Sequence, residues 1–426
     1  MHARSQALGA RFRAHLKSHK TVEGTRLQLQ STVDITQSVV VSTLMEAWQL
    51  VEAGLVADST VKDASNYTIL YGLPVAINKV ADLSDLWDKI SEDGGTLRIL
   101  VDHPDQVRFI EKFECARCSP KRWSTFVKID GGQRYQRAGV VTGTPQFEEL
   151  LSLLFLSPAI SVYGFYSHAG DSYASTSFSE ASTFLSAEME AVNTAAKAAL
   201  VALAESSDRT VHQQPFVLSV GSTPTAHAAS SETSNMLSAT LSGVLELHAG
   251  PHVQTNSVYI SNILCYLGNY PMLDLQQQHT RLVDEENISQ RVRATVISYY
   301  PGRGKGGEDE ALIDAGAIAF SKDTGPSGGY GNVIGKSWRV GRISQEHGIL
   351  TRIPGSPVEE RLEIGSQVEV IGQHACLVAA VRISVLRNKQ FGAQLTDLFL
   401  LSLYPFLLVL LRLASQSPEL ITEHQV

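Results

Sequence analysis

The feature that most constrains this 426-residue chain is a recurrence. Short β-rich runs return along its first 250 residues with helix-like sequence between them. They are RFRAHLK (11–17), SVVVST (38–43), TILYGLPV (68–75), LRILVD (97–102), TFVKID (125–130), ISVYGFYSH (160–168), PFVLSVGS (215–222) and GVLELHAG (243–250). Several are nearly continuous apolar runs, as parallel strands buried on both faces require. Stretches such as LMEAWQLVEAG and SAEMEAVNTAAKAALVALAE supply the intervening helices. About eight β/α units predict an α/β fold, a (β/α)8 TIM barrel rather than an open sheet. Lys17, Asp130, His168, Ser222 and His248 stand at or just beyond the C-terminal ends of these runs, the end at which such barrels build sites.

After about residue 285 the texture changes. RVRATVISYY, EALIDAGAIAF, SWRVGRIS and SQVEVIGQHACLVAAVRI are strand-like and joined by turns rich in Gly and Pro, which predicts an antiparallel β domain. PGRGKGGEDE, between the first two, lacks the Gly-Lys-Ser/Thr ending and the strand-to-helix setting of a phosphate loop, so it reads as a turn. The expected organisation is a barrel over 11–280, a β domain over 285–380 and a divergent apolar tail over 381–426. In that tail, LFLLSLYPFLLVLL (398–411) is shorter than the ~20 residues a spanning helix needs and is interrupted by Pro405, so no membrane role is expected.

A net charge of −8 argues against a nucleic-acid partner. Four cysteines, Cys115, Cys118, Cys265 and Cys376, make no disulfide framework and suit a reducing cytoplasmic setting. No apolar signal segment precedes the first strand. The single C-x-x-C at 115–118 is read as structural.

FRAHLKSHKT, residues 12–21, holds two lysines, two histidines and an arginine. If it is extended, Arg13, His15, Lys17 and His19 share one face. An imine-forming lysine must be available as the neutral amine, which neighbouring cations and partial burial favour.

A barrel with a lysine on its first strand, followed by a β domain, resembles the fold-type III pyridoxal-phosphate enzymes of alanine racemase architecture. Within them the chain is similar to the D-serine dehydratase and D-threonine aldolase branch, and most to the fungal-type D-serine dehydratases. The motifs that carry the resemblance are RAHLKSHKT, VKIDGGQRYQRAGV, GFYSHAGDSY, LSVGSTPT, ELHAG, NYPMLDLQQ, IDAGAIAFSKDTGP, GRISQEHGIL and QHACLVAA, in family order from about residue 11 to 380.

The resemblance implies that Lys17 attaches to pyridoxal 5′-phosphate and that Arg137 faces its phenolic oxygen, with Arg134 the alternative in the same loop. It implies a cofactor pocket lined by Tyr166 and Tyr173 around His168. Ser222 and Thr223, in GSTPT, suit a phosphate-binding turn. His374 and Cys376 would face the same way if QHAC is a strand, and a His/Cys pair favours Zn2+. The family's dehydratases carry zinc on such a pair, whereas its aldolases typically have a carboxylate second, so Cys376 favours dehydration. The implied reaction is β-elimination of D-serine to pyruvate and ammonia by a homodimeric lyase. The alternatives are a D-threonine aldolase-type retro-aldol lyase, or a pyridoxal-phosphate-binding variant with impaired catalysis.

The chain departs from this pattern in three places. ASNYT (64–68) interrupts the lead into the third run. Residues 251–268 stand as an insertion of about eighteen, and the sequence after 380 no longer follows the family. The segment before Lys17 is also short, so the β domain is expected to be incomplete.

Overall fold

A computed structural model describes residues 1–7, 10–55, 67–132, 138–205, 216–228, 262–267, 269–326, 328–356 and 361–380. Eight parallel strands form a closed barrel in chain order. They are β1 (Arg11–His15), β2 (Ser38–Val41), β3 (Thr68–Pro74), β4 (Thr96–Val101), β5 (Trp123–Lys128), β6 (Ile160–Tyr166), β7 (Val217–Val220) and β8 (Asn262–Leu267). Closure is made by β8 on β1, with Arg11 opposite Leu264 and Ala14 opposite Leu267.

Strand alternation separates two apolar layers. Val39 and Val41, Ile69 and Tyr71, Ile99 and Val101 belong to the large cluster shared with the outer helices. Val40, Leu70, Leu100, Phe126, Tyr166 and Val217 form a second cluster inside the barrel. Gly164 shows how tight the β6–β7 contact is, since a Cβ there would stand 1.9 Å from the Val217 carbonyl oxygen.

The outer helices follow from local signals. Thr144 caps Pro145–Leu156 by accepting from the Phe147 N–H, Pro145 takes the first turn, and Phe147, Leu150, Leu151 and Leu154 make the buried stripe. Phe178–Glu205 buries Ala181, Leu185, Met189, Val192, Ala196 and Ala199 at helical spacing.

Two expectations for the barrel strands change. The first strand ends at His15, and residues 17–19 form a turn closed by the Lys20 N–H on the Leu16 carbonyl at 2.9 Å. Residues 243–250, expected as the eighth strand, lie outside the described residues. The eighth barrel position is filled by 262–267, inside the stretch read as an insertion. The physical reason is that NILCYL is apolar and strand-forming, and the open ladder between β7 and β1 satisfies its backbone groups.

The chain divides into two compact units. One comprises residues 1–291, 324–328 and 371–376, and the other the remaining C-terminal residues. The second unit is built on β9 (Val292–Tyr300), β10 (Glu310–Ile313), β11 (Gly331–Val333), β12 (Trp338–Ile343), β13 (Gly348–Arg352) and β14 (Gln367–Gly372). The sheet closes in the order β10-β13-β12-β11-β14-β9 with antiparallel pairs, so it forms a barrel with the strands it has. Val292, Val296, Ile313, Trp338, Val340, Leu350 and Val368 fill it. PGRGKGGEDE is the β9–β10 turn, with Gly304 donating to the Glu308 carbonyl.

Among the described residues no helix is long and apolar enough to cross a membrane. The tail at 381–426 lies outside them. Cys115 and Cys118 are exposed free thiols, and no cluster of three metal-binding side chains exists among the described residues.

Candidate active site

The basic file of the first strand is divided among three tasks. Arg13 points into the barrel, fully buried, and donates to the Val39 carbonyl and to the Thr68 carbonyl and hydroxyl. His19 leaves the strand face altogether. Its Nδ1 accepts from the Thr21 N–H at 3.1 Å, so Nε2 carries the proton donated to Gln28 Oε1 at 2.6 Å. Burial lowers its pKa, and the ring is a neutral brace behind the turn. Only His15 stays with Lys17. Burial, then the Lys17 and His168 charges, push the His15 pKa well down, so its imidazole is neutral. The expectation that four basic groups share one strand face fails because the strand stops at His15.

Past β7, Gly221 takes φ +128°, a conformation that glycine accepts, and lets the chain turn into the short helix Thr223–His227. Ser222 caps that helix in a capping box with Thr225 and meets Ser172 Oγ at 2.6 Å. Its hydroxyl is therefore already engaged. The Thr223 hydroxyl differs: it is buried with no partner among the described residues. An orphaned buried hydroxyl in a turn of this kind fits a phosphate oxygen.

The same turn is tied to the loop after β6. His168 Nδ1 lies 2.8 Å from the Gly221 carbonyl oxygen, which can only accept, so Nδ1 carries a proton. Glu188, fully buried on Phe178–Glu205, accepts from the Ala169 N–H. Burial raises its carboxyl pKa to about 7, opposed by that N–H and by the Lys128 charge. Tyr166 ends β6 inside the barrel with Lys128 Nζ 4.6 Å from its ring centroid. Tyr173 stands half-buried, its ring 6.4 Å from that of His168. The barrel thus brings Lys17, Tyr166, His168, Tyr173 and the 221–225 turn to the C-terminal ends of β1, β6 and β7. Arg137, Arg134 and His248 lie outside the described residues.

QHAC is not a strand. β14 stops at Gly372, His374 follows it, and Cys376 lies in the first turn of the helix Ala375–Ala380. The strand argument for convergence is therefore replaced by a clamp. Asp274, fully buried, accepts on Oδ2 from the Ala375 N–H at 2.7 Å and from Asn269 Nδ2 at 2.6 Å. Its Oδ1 takes the Gln277 N–H at 3.0 Å. The Gln276 N–H reaches the Gln373 carbonyl. Cys376 Sγ lies 2.9 Å from the buried Ser18 hydroxyl. One imidazole nitrogen and one thiol sulfur suit zinc in an open site, in which substrate or water completes the coordination.

The chain is 39% identical over 383 residues to the D-serine dehydratase of Schizosaccharomyces pombe, covering 88% of this chain and 81% of that protein. It is 32% identical to the Saccharomyces cerevisiae D-serine dehydratase, covering 86% and 82%. The chain belongs to the D-serine dehydratase family.

A family model described as "Putative serine dehydratase domain" matches residues 289–385, the stretch that holds His374 and Cys376. Among solved structures, the D-threo-3-hydroxyaspartate dehydratase from Delftia sp. HT23 superposes with a TM-score of 0.70 at 24% identity, covering 95% of this chain and 93% of that one. The same enzyme is also solved as a mutant in a metal-free form. Membership of the D-serine dehydratase family makes the chain a carbon–nitrogen lyase, a D-amino acid dehydratase.

For this dehydratase, sequence reasoning missed Lys128, Glu188, Ser18 and Asp274. Lys128 carried a readable signal, since strand parity puts it on the inner face with Phe126. The others carried none, because each acts through a partner remote in sequence.

Proposed function

We propose that this chain is a pyridoxal-phosphate- and zinc-dependent D-serine dehydratase that converts D-serine to pyruvate and ammonia. The observation that carries the reading is the convergence of Lys17, His168 and the Thr223 hydroxyl, which has no partner among the described residues, at one end of the barrel. The likeness to two D-serine dehydratases supports the choice of substrate.

Lys17, Tyr166, Tyr173, Ser222 and Thr223 would hold the cofactor, with Arg137 opposite its phenolic oxygen. His374 and Cys376 would hold the zinc. Bound together, the cofactor supplies an electron sink for the α-carbanion and the metal supplies Lewis acidity toward the β-hydroxyl. The protein's own part is positional and protolytic. Lys17 Nζ takes the α-proton of D-serine, with the neutral His15 imidazole beside it. His168 Nδ1–H on the Gly221 carbonyl ties the loop that leads to Tyr173 to the turn that bears Thr223. Loss of the α-hydrogen and β-hydroxyl leaves 2-aminoacrylate, which hydrolyses to pyruvate and ammonia. Assembly as a homodimer in the cytoplasm belongs to the same proposal, on the family likeness and the sparse cysteines.

The test is the visible absorption of the protein loaded with pyridoxal phosphate and zinc, before and after D-serine. The expected result is a cofactor band that shifts with D-serine while pyruvate accumulates, with both responses lost in Lys17→Ala. A protein that takes up no cofactor, or one that instead cleaves D-threonine to glycine and acetaldehyde, would overturn the reading.

A further inference from the structure

We propose that Ser18 is a positioning residue that couples the metal held by His374 and Cys376 to the turn that carries Lys17. The inference rests on the zinc reading above and adds to it a residue and a direction of communication.

Three observations carry it. Ser18 Oγ and Cys376 Sγ are 2.9 Å apart across 358 positions of sequence, and both residues are buried, Ser18 at 2% and Cys376 at 8% exposure. The cysteine's backbone is fixed independently, because Asp274 accepts from the Ala375 N–H, and Asn269 and the Gln277 N–H hold that carboxylate in turn. Sγ therefore has little freedom to follow Ser18. On the other side, the turn containing Ser18 is stiff. It is closed by the Lys20 N–H on the Leu16 carbonyl, Lys20 takes a left-handed φ of +53°, and His19 is pinned between the Thr21 N–H and Gln28. A small displacement of Ser18 is consequently passed to its neighbour Lys17 rather than absorbed by the loop.

The chemistry gives the contact a direction. A metal-bound sulfur is a thiolate and only accepts, so the Ser18 hydroxyl then donates to it. Without metal, the thiol can donate to the serine oxygen instead. Occupancy thus changes what the sulfur asks of a buried hydroxyl one residue from the catalytic lysine. Outer hydrogen bonds of this kind typically change metal affinity by about ten- to a hundredfold.

The experiment uses the full-length protein loaded with pyridoxal phosphate, comparing wild type, Ser18→Ala, Ser18→Thr and Cys376→Ala. Zinc affinity is read by competition with a chelator, and the visible cofactor band is recorded during zinc removal. Ser18→Ala is expected to bind zinc about ten- to a hundredfold more weakly at unchanged cofactor content, and its band should not respond when zinc leaves. Ser18→Thr, which keeps the hydroxyl, should restore both. Wild-type affinity in Ser18→Ala, or a band that still follows zinc removal there, would overturn the coupling and leave the zinc reading intact. Unchanged zinc binding in Cys376→Ala, or no stoichiometric zinc on wild type, would overturn both.

Discussion

Glu188 is a carboxylic acid placed where a carboxylate is costly. It is fully buried behind the 168–173 loop, and burial raises its pKa from 4.5 to about 7, against the Ala169 N–H and Lys128, which lower it. In the unfolded chain the group ionises near 4.5, whereas in the folded chain it stays neutral until about pH 7. Its contribution to stability is thus fully present below pH 4.5 and is lost as pH rises from 4.5 to about 7, since the unfolded state then binds fewer protons. The loss is on the order of 3 kcal/mol, from about 1.4 kcal/mol for each pH unit between the two values. Glu188→Gln keeps an acceptor for the Ala169 N–H and cannot ionise. Urea unfolding should find it equal to wild type near about pH 4, and more stable by a few kcal/mol near about pH 8. A difference that does not change with pH would mean that Glu188 is ionised throughout. None of this was legible in SAEMEAVNTAAKAA, where a glutamate at helical spacing reads as a solvated face. What was legible is the position of His15 and Lys17 at the C-terminal end of the first β-rich run.

At the scale of elements, seven barrel strands were readable because each is a β-rich run, several of them almost wholly apolar, bounded by turn or helix signals. What alternation could not supply was where a strand ends. Arg13, His15, Lys17 and His19 keep strand parity in sequence, yet the backbone turns after Leu16. QHAC fails for the same reason, since Cys376 lies in the first turn of a helix. The eighth strand is not legible, because an apolar run inside an apparent insertion reads as surplus, whereas an unfilled ladder position attracts such a run. Gly164 gives the sharpest test of this ladder. Its Cβ would lie 1.9 Å from the Val217 carbonyl oxygen and 2.7 Å from its carbonyl carbon, both backbone atoms that cannot swing aside. Gly164→Ala is expected to force β6 from β7 and to cost about 3 kcal/mol or more. Because Tyr166 and Val217 lie on those strands, cofactor uptake should fall with stability. A variant with unchanged urea midpoint would show that the two strands pack less closely than described.

For the whole molecule, the arrangement of the barrel unit explains why a ligand should report on the fold. Lys17 is placed by the end of β1, Tyr166 and His168 by β6 and the loop after it, Thr223 by the turn after β7. These segments are joined to one another chiefly through barrel closure, so a molecule that touches all of them binds the folded unit and not the open chain. At a free concentration about a hundred times its Kd, such a ligand stabilises the native state by about 2.7 kcal/mol. For a unit of this size that corresponds to a rise in melting temperature of roughly 5 °C. Pyridoxal phosphate is therefore expected to raise the thermal midpoint in proportion to the logarithm of its concentration. Thr223→Val, which replaces a buried hydroxyl without a partner among the described residues by a methyl group of similar shape, should reverse the balance. Its ligand-free protein should melt about as high as wild type or higher, because an unsatisfied group has gone. Its gain from pyridoxal phosphate should be smaller, because the phosphate has lost a donor. If both proteins gain equally, the phosphate does not sit on this turn, and the site must be sought elsewhere on the barrel rim.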